Sequence, residues 1–182
     1  MSQLDEILIL TNQTGKLEGV TPSGVRQVTN IFEQIYKFFK GLIKNNDLLE
    51  TTKVELHSKR CIWLPNKLLV MYPQQCSITL IDGLLSDSLL PYLCDIPYQF
   101  RTNILPLAEI LSIKETFNIQ DYINVLQELH CQYPNEPLTQ SDLNISLCII
   151  NCCLTVHIEN DEDLLNIMKD SIYIPNSKSV LA

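Results

Sequence analysis

Three prolines constrain this chain more than any other feature. Pro91, Pro97 and Pro106 fall inside the stretch from Leu84 to Leu129, LLSDSLLPYLCDIPYQFRTNILPLAEILSIKETFNIQDYINVLQEL. Each proline biases the residue before it away from helix, so Tyr92 to Ile96 reads as an extended segment held between two stops. Tyr98 to Ile110 then carries Phe100, Ile104, Leu105, Leu107 and Ile110 at helical spacing, a pattern that Pro106 should bend or break. Past a short loop at Phe117-Asn118-Ile119, a second helix starts at or near Asp121 and bears Tyr122, Ile123, Val125, Leu126 and Leu129. An extended lead feeding two amphipathic helices is a nucleus for a helical core.

The flanking sequence can supply the rest of that core. Thr21-Pro22 is a strong helix start, a capping hydroxyl followed by proline at the first helical position. Val25, Val28, Ile31, Phe32, Ile35, Phe38, Phe39, Leu42 and Ile43 follow with the i, i+3, i+4 spacing of an amphipathic helix that ends near Asn45-Asn46. This broad apolar stripe reads first as a core face and second as a groove for a partner. Thr51 to Lys59 reads as a polar connection. Arg60 to Leu64 and Leu68 to Tyr72, split by Pro65-Asn66-Lys67, read as a β-hairpin, with the lone Trp63 buried in its first strand. Cys76 to Leu80 suggests a further short strand stopped by Asp82-Gly83. Beyond the Pro134-Asn135-Glu136-Pro137 loop, a helix is expected from about Thr139 to Val156, its face formed by Leu143, Leu147, Ile150 and Leu154. A short helix over Leu164 to Met168, capped by Asn160 or Asp161, and a strand over Ser171 to Pro175 close the chain. Residues 3–12 fit a helix or a strand equally.

The expected fold class is therefore α+β, predominantly helical, with small β-hairpins near 60–72 and 172–182. Residues 1–20 read as a lead-in and 21–182 as one helical domain. At 182 residues the chain is long enough to bury a core without staples.

Composition excludes several classes. Hydrophobic residues make up 46% and charged residues 19%, which rules out a chain too polar to collapse. The net charge of −8 opposes nonspecific attraction to phosphate backbones, so no nucleic acid is expected as partner. Lys37, Lys40 and Lys44 cluster, but on the outer face of one helix, as a solvated row. Seven cysteines with an acidic N-terminus, MSQLDEILIL, favour reduced thiols in the cytosol or nucleus, and a cytoplasmic setting is expected. The apolar run from Ile145 to Ile158 is too short for a membrane span.

Cysteines, histidines and carboxylates are the groups that could carry chemistry. Cys148 and Cys152 share a helix face, but a zinc site needs ligand pairs on two segments and no C-x-x-C occurs. His130 and Cys131 are adjacent, which on a helix turns their side chains about 100° apart and spoils a base–nucleophile pair. Glu159, Asp161, Glu162 and Asp163 lack the central glycine of a calcium loop and suit a helix N-terminus. Gly15-Lys16 lacks the remainder of a phosphate-binding loop. No catalytic residue, cofactor or metal is expected.

Three patterns in one order carry a resemblance: Cys61-Ile62-Trp63, the run from Leu89 to Phe100 with Pro91, Tyr92, Leu93, Pro97 and Phe100, and the run from Phe117 to Leu129 with Asp121, Tyr122, Val125 and Leu126. Over roughly residues 20–182 they resemble the later part of the internal repeat of the sacsin family of giant chaperone-related proteins. There a tryptophan-bearing hairpin is followed by a PYL…P…F segment, a bent helix and a DY…VL helix. The resemblance implies that the twelve motif residues are structural core, and that the chain corresponds to the part of a repeat downstream of its GHKL-type ATP-binding domain. Asp82-Gly83 is the only echo of that domain's nucleotide site. It implies a non-catalytic interaction or scaffold module with chaperone or client proteins as partners, cut off within its last hairpin. Two rival readings stand beside it: an unrelated helical adaptor using the Val25–Ile43 face, and a small thiol enzyme using Cys131 or the Cys148 cluster.

Overall fold

The computed structural model describes residues 15–44, 50–79, 88–157 and 174–175. The fold is a predominantly helical α+β fold. In chain order the elements are α1 (Pro22–Lys44), α2 (Glu50–Ser58), β1 (Ile62–Leu64), β2 (Leu69–Met71), a 3-10 turn (Pro73–Gln75), β3 (Cys76–Ser77), β4 (Cys94–Asp95), α3 (Tyr98–Ile104), a second 3-10 turn (Leu105–Leu107), α4 (Ile119–Gln132) and α5 (Gln140–His157). By their contacts the residues form two compact units. The first is built from residues 1–80 and 93–116, the second from 81–92 and 117–182.

In the first unit, α1 begins where the sequence places it. Thr21 accepts the Gly24 N–H on its hydroxyl at 3.2 Å, and Pro22 opens the helix. The expected hairpin forms as an antiparallel pair with Ile62 opposite Met71 and Leu64 opposite Leu69. Its six strand residues are all buried, and Phe32 and Tyr36 of α1 pack against β1. A short segment extends the ribbon on the far side of β2: Lys16 bridges Leu69, and Leu17 donates to the Leu68 carbonyl at 2.7 Å. Gly15 makes this approach possible. It has φ +81, and a Cβ there would stand 2.4 Å from the Val70 carbonyl oxygen.

The thiol-bearing strands form a second, parallel ribbon. Cys76 pairs with Cys94 and Ser77 with Asp95, while Lys114 bridges Ser77 from the other side. Pro97 ends this extended run and stands at the N-cap of α3. Pro106 acts as expected: α3 stops at Ile104, and the chain tightens into the 3-10 turn that holds the proline.

Two expectations in this unit need correction. The polar connection is a helix, α2, because Glu, Lys and Leu are good helix formers and one buried side chain, Leu56 at 7% exposure, ties it down. Periodicity missed it because Val54 faces out. The α1 stripe is only partly covered. Phe32 and Tyr36 are its buried residues, and Tyr36 was not counted in the stripe at all.

The second unit rests on α4 and α5. Asn118 caps α4 with a reciprocal box: its side chain accepts the Asp121 N–H at 3.1 Å, and Asp121 accepts the Asn118 N–H at 3.0 Å. Asp121 is thus the third residue of the helix, at the start the sequence indicates. Thr139 does the same for α5, accepting the Asp142 N–H at 3.2 Å. The expected face of α5 is wrong. Ile145, Ser146 and Ile149 are buried, while Leu147 is 52% exposed and Leu143 and Ile150 are half-buried. The expected helix over 164–168 lies outside the described residues. So does the hairpin near 172–182, apart from Ile174 and Pro175.

Candidate functional site

The groups able to do chemistry in the first unit are gathered around Tyr36. Its hydroxyl donates to the Cys61 carbonyl at 2.9 Å and accepts the Trp63 N–H at 3.0 Å. Alternate residues of a strand direct their backbone groups to opposite sides, so one phenol satisfies two groups of β1 that do not face β2. Trp63 is fully buried, its ring stacked on Phe32 at 5.8 Å and its indole N–H given to the Thr29 hydroxyl at 3.0 Å. Phe100 closes the cluster with its edge toward the Tyr36 ring at 5.3 Å.

Three thiols share this interior. Cys61 lies 3.8 Å from the Leu56 carbonyl, and Cys76 lies 3.4 Å from Cys94, sulfur to sulfur. Burial pushes the Cys61 thiol up to about 12. Burial also raises Cys76, helped by its hydrogen bond with Cys94, and burial with the neighbouring thiols raises Tyr36. These groups stay protonated at neutral pH, and a thiol in that state is a poor nucleophile. In the second unit a polar cluster gathers at Asp142, which accepts from Tyr133 at 2.8 Å and from Thr139 at 2.5 Å. The Tyr133 phenol is raised, chiefly by that hydrogen bond to Asp142. This arrangement fixes the start of α5.

The residues singled out from the sequence fall in both units. Cys61, Ile62, Trp63, Leu93 and Phe100 are buried in the first, with Pro97 half-buried. Tyr92, Asp121, Tyr122, Val125 and Leu126 are buried in the second, with Pro91 exposed. Tyr92 donates to the Gln132 side chain at 3.2 Å, joining the proline-bounded segment to α4. Cys131 is exposed on α4, Cys148 is half-buried on α5, and the side chains of Cys152 and Cys153 lie outside the described residues. Among the described residues no group of three His, Cys, Asp or Glu is placed to hold a metal. No described helix is long and apolar enough to cross a membrane.

What the surface offers instead is apolar. Val28, Ile31, Ile35 and Leu42 on α1 are half-buried, and Phe38 is 62% exposed. Their 3-4-3-4 spacing draws one seam along the helix, rotated away from the Thr29-Phe32-Tyr36 side that packs on the hairpin. Sequence reading merged the two sides into one stripe. The unused signal was Tyr36, a hydroxyl-bearing aromatic at helical spacing from Phe32 and Thr29.

Compared with protein-family models, with curated proteins and with solved structures, the chain matches none.

Proposed function

We propose that this chain is a non-catalytic protein-interaction or scaffold module of the sacsin-repeat type, serving chaperone or client proteins in the cytoplasm. The observation that carries the reading is the distribution of side chains. Tyr36, Cys61 and Cys76 are sealed in the interior and held protonated, while α1 keeps a half-buried apolar row, Val28, Ile31, Ile35 and Leu42, with Phe38 exposed beside it. Recognition uses such a face; acid–base or nucleophilic catalysis needs reachable groups with matched proton affinity. The sacsin-like character is supported by the order of elements: a proline-started helix, a tryptophan hairpin, an extended segment, a helix broken at Pro106 and a helix bearing Asp121-Tyr122.

Purified chain should hydrolyse neither ATP nor simple thioesters, and Cys131→Ser and Cys148→Ser should change no activity it has. Nucleotide turnover that tracks the purified protein would end the reading. The adaptor reading is favoured separately by the 62% exposure of Phe38. Under it, polar substitution at Val28 or Ile35 leaves the fold intact and removes partner binding.

A further inference from the structure

Two of the buried thiols are placed for a covalent bond. Cys76 and Cys94 are register partners in the parallel ribbon, so their side chains leave the same face of neighbouring strands. Neighbouring strands run about 4.8 Å apart, inside the Cα separation of about 4.4–6.8 Å that a disulfide spans. The two sulfurs are 3.4 Å apart. A sulfur–sulfur bond of about 2.05 Å asks them to close by about 1.4 Å, which small rotations of the side chains supply without moving the backbone.

The surroundings hold this pairing in place. The Ile96 N–H donates to the Ser77 carbonyl at 3.0 Å, and the Ser77 hydroxyl donates to Asp95 at 3.1 Å. Lys114 bridges Ser77 along the other margin. The Cys76 thiol also reaches the Tyr72 carbonyl at 3.3 Å, which keeps it from swinging away from its partner. Cys61, the third interior thiol, is turned to the Leu56 carbonyl at 3.8 Å.

We infer that Cys76 and Cys94 are a reversible redox pair, joined into a disulfide by a peroxide. One thiol takes an oxygen from hydrogen peroxide, becoming a sulfenic acid and releasing water. The neighbouring sulfur then attacks it, closing the S–S bond and expelling a second water. Two thiols and one peroxide become one disulfide and two waters, with two electrons passing from sulfur to oxygen. Burial and proximity set the two rates apart. Cys76 is fully buried and Cys94 is 2% exposed, so the first step waits for the two-residue strands to part locally. The second joins sulfurs already in contact and outruns escape of the intermediate. The product encloses residues 76–94, a ring that includes the 81–92 segment of the second unit. Such a ring limits the freedom of the unfolded chain, so the oxidised protein is the more stable form.

The full chain allows a direct test, because trypsin cuts after Lys67 and Arg101 and finds no Lys or Arg between them. Peptide 68–101 therefore carries Cys76 and Cys94 and no other cysteine. Native protein exposed to hydrogen peroxide, then alkylated in denaturant and digested, should yield this peptide two hydrogens lighter and free of alkyl groups. Dithiothreitol should restore two thiols that alkylate. The oxidised chain should melt at least about 5 °C above the reduced one. Cys94→Ala should abolish the cross-link and the gain in Tm, whereas Cys131→Ser should leave both in place. Peptide 68–101 carrying two alkyl groups after peroxide would overturn the inference, as would its linkage to peptide 61–67 through Cys61. A cross-link that forms only in denaturant, or an oxidised chain that melts with the reduced one, would do the same. Should Cys94→Ala fail to fold, the mass of peptide 68–101 from the unaltered chain decides by itself.

Discussion

Helices α1 and α5 pose the same problem and solve it alike. Each carries more apolar surface than its own unit covers, and each turns inward a face that includes a hydroxyl. In α1 that face is Thr29, Phe32 and Tyr36; the Thr29 hydroxyl takes the Trp63 indole proton and gives its own to the Val25 carbonyl at 2.8 Å. In α5 it is Ile145, Ser146 and Ile149, with the Ser146 hydroxyl donating to the Asp142 carbonyl at 2.9 Å. The purely aliphatic rows, Val28-Ile31-Ile35 and Leu143-Leu147-Ile150, lie further out. Counting apolar residues therefore picks the wrong side of α5 and merges the two sides of α1. Buried polar atoms must be satisfied, and the side where a hydroxyl finds its partner is the side that goes in.

The comparison can be broken most forcefully at the aromatic pair. Phe32→Ala should cost about 3–5 kcal/mol in chemical denaturation, since a ring 1% exposed leaves a cavity against Trp63. Phe38→Ala, on the outer row of the same helix, should stay within about 0.5 kcal/mol. Equal losses would place both rows in the core. For α5, Ile149→Ala should cost about 2–5 kcal/mol and Leu147→Ala below about 1 kcal/mol. A reversal would restore the face expected from spacing.

Removing a single oxygen sharpens the point. Tyr36→Phe keeps the ring but abandons the Cys61 carbonyl and the Trp63 N–H inside the protein, a loss of about 2–4 kcal/mol. Alkaline titration probes the same cluster. Cys61, Cys76 and Tyr36 all hold their protons more tightly folded than unfolded, so their contribution is intact below the ordinary thiol value of 9.0 and declines as pH climbs toward about 12. The unfolding free energy from denaturant titration should therefore fall steeply above about pH 9, by up to about 1.4 kcal/mol per pH unit for each group that ionises only in the unfolded chain. A flat profile would mean that water reaches the cluster. The smallest expected effect is a gain: Gly41→Ala should stabilise by about 0.5–1 kcal/mol, because the added methyl group has room and alanine favours helix.

Much of the architecture was legible because local chemistry and long-range packing agree there. Thr21-Pro22, Pro97 and Pro106 act through their own backbone, so they mark helix limits whatever surrounds them. The hairpin at Trp63 was readable from two apolar runs and a Pro-Asn break. α2 was not, since a helix held by Leu56 alone shows no period. Nor was the parallel ribbon of Cys76 and Cys94, whose partners are distant in sequence and whose strands are two residues long. The seam was visible as apolar letters, but its separation from the packed side was not. That division depends on where the Tyr36 oxygen finds its partners, which no spacing rule encodes.

The way Tyr36 meets β1 has a consequence for assembly. Strand margins left bare invite neighbours to zip on, and that is how many ribbons polymerise. Here a phenol stands where another strand would lie, and the Lys16-Leu17 segment guards the opposite margin at β2. The hairpin is thereby closed to templated growth at both margins.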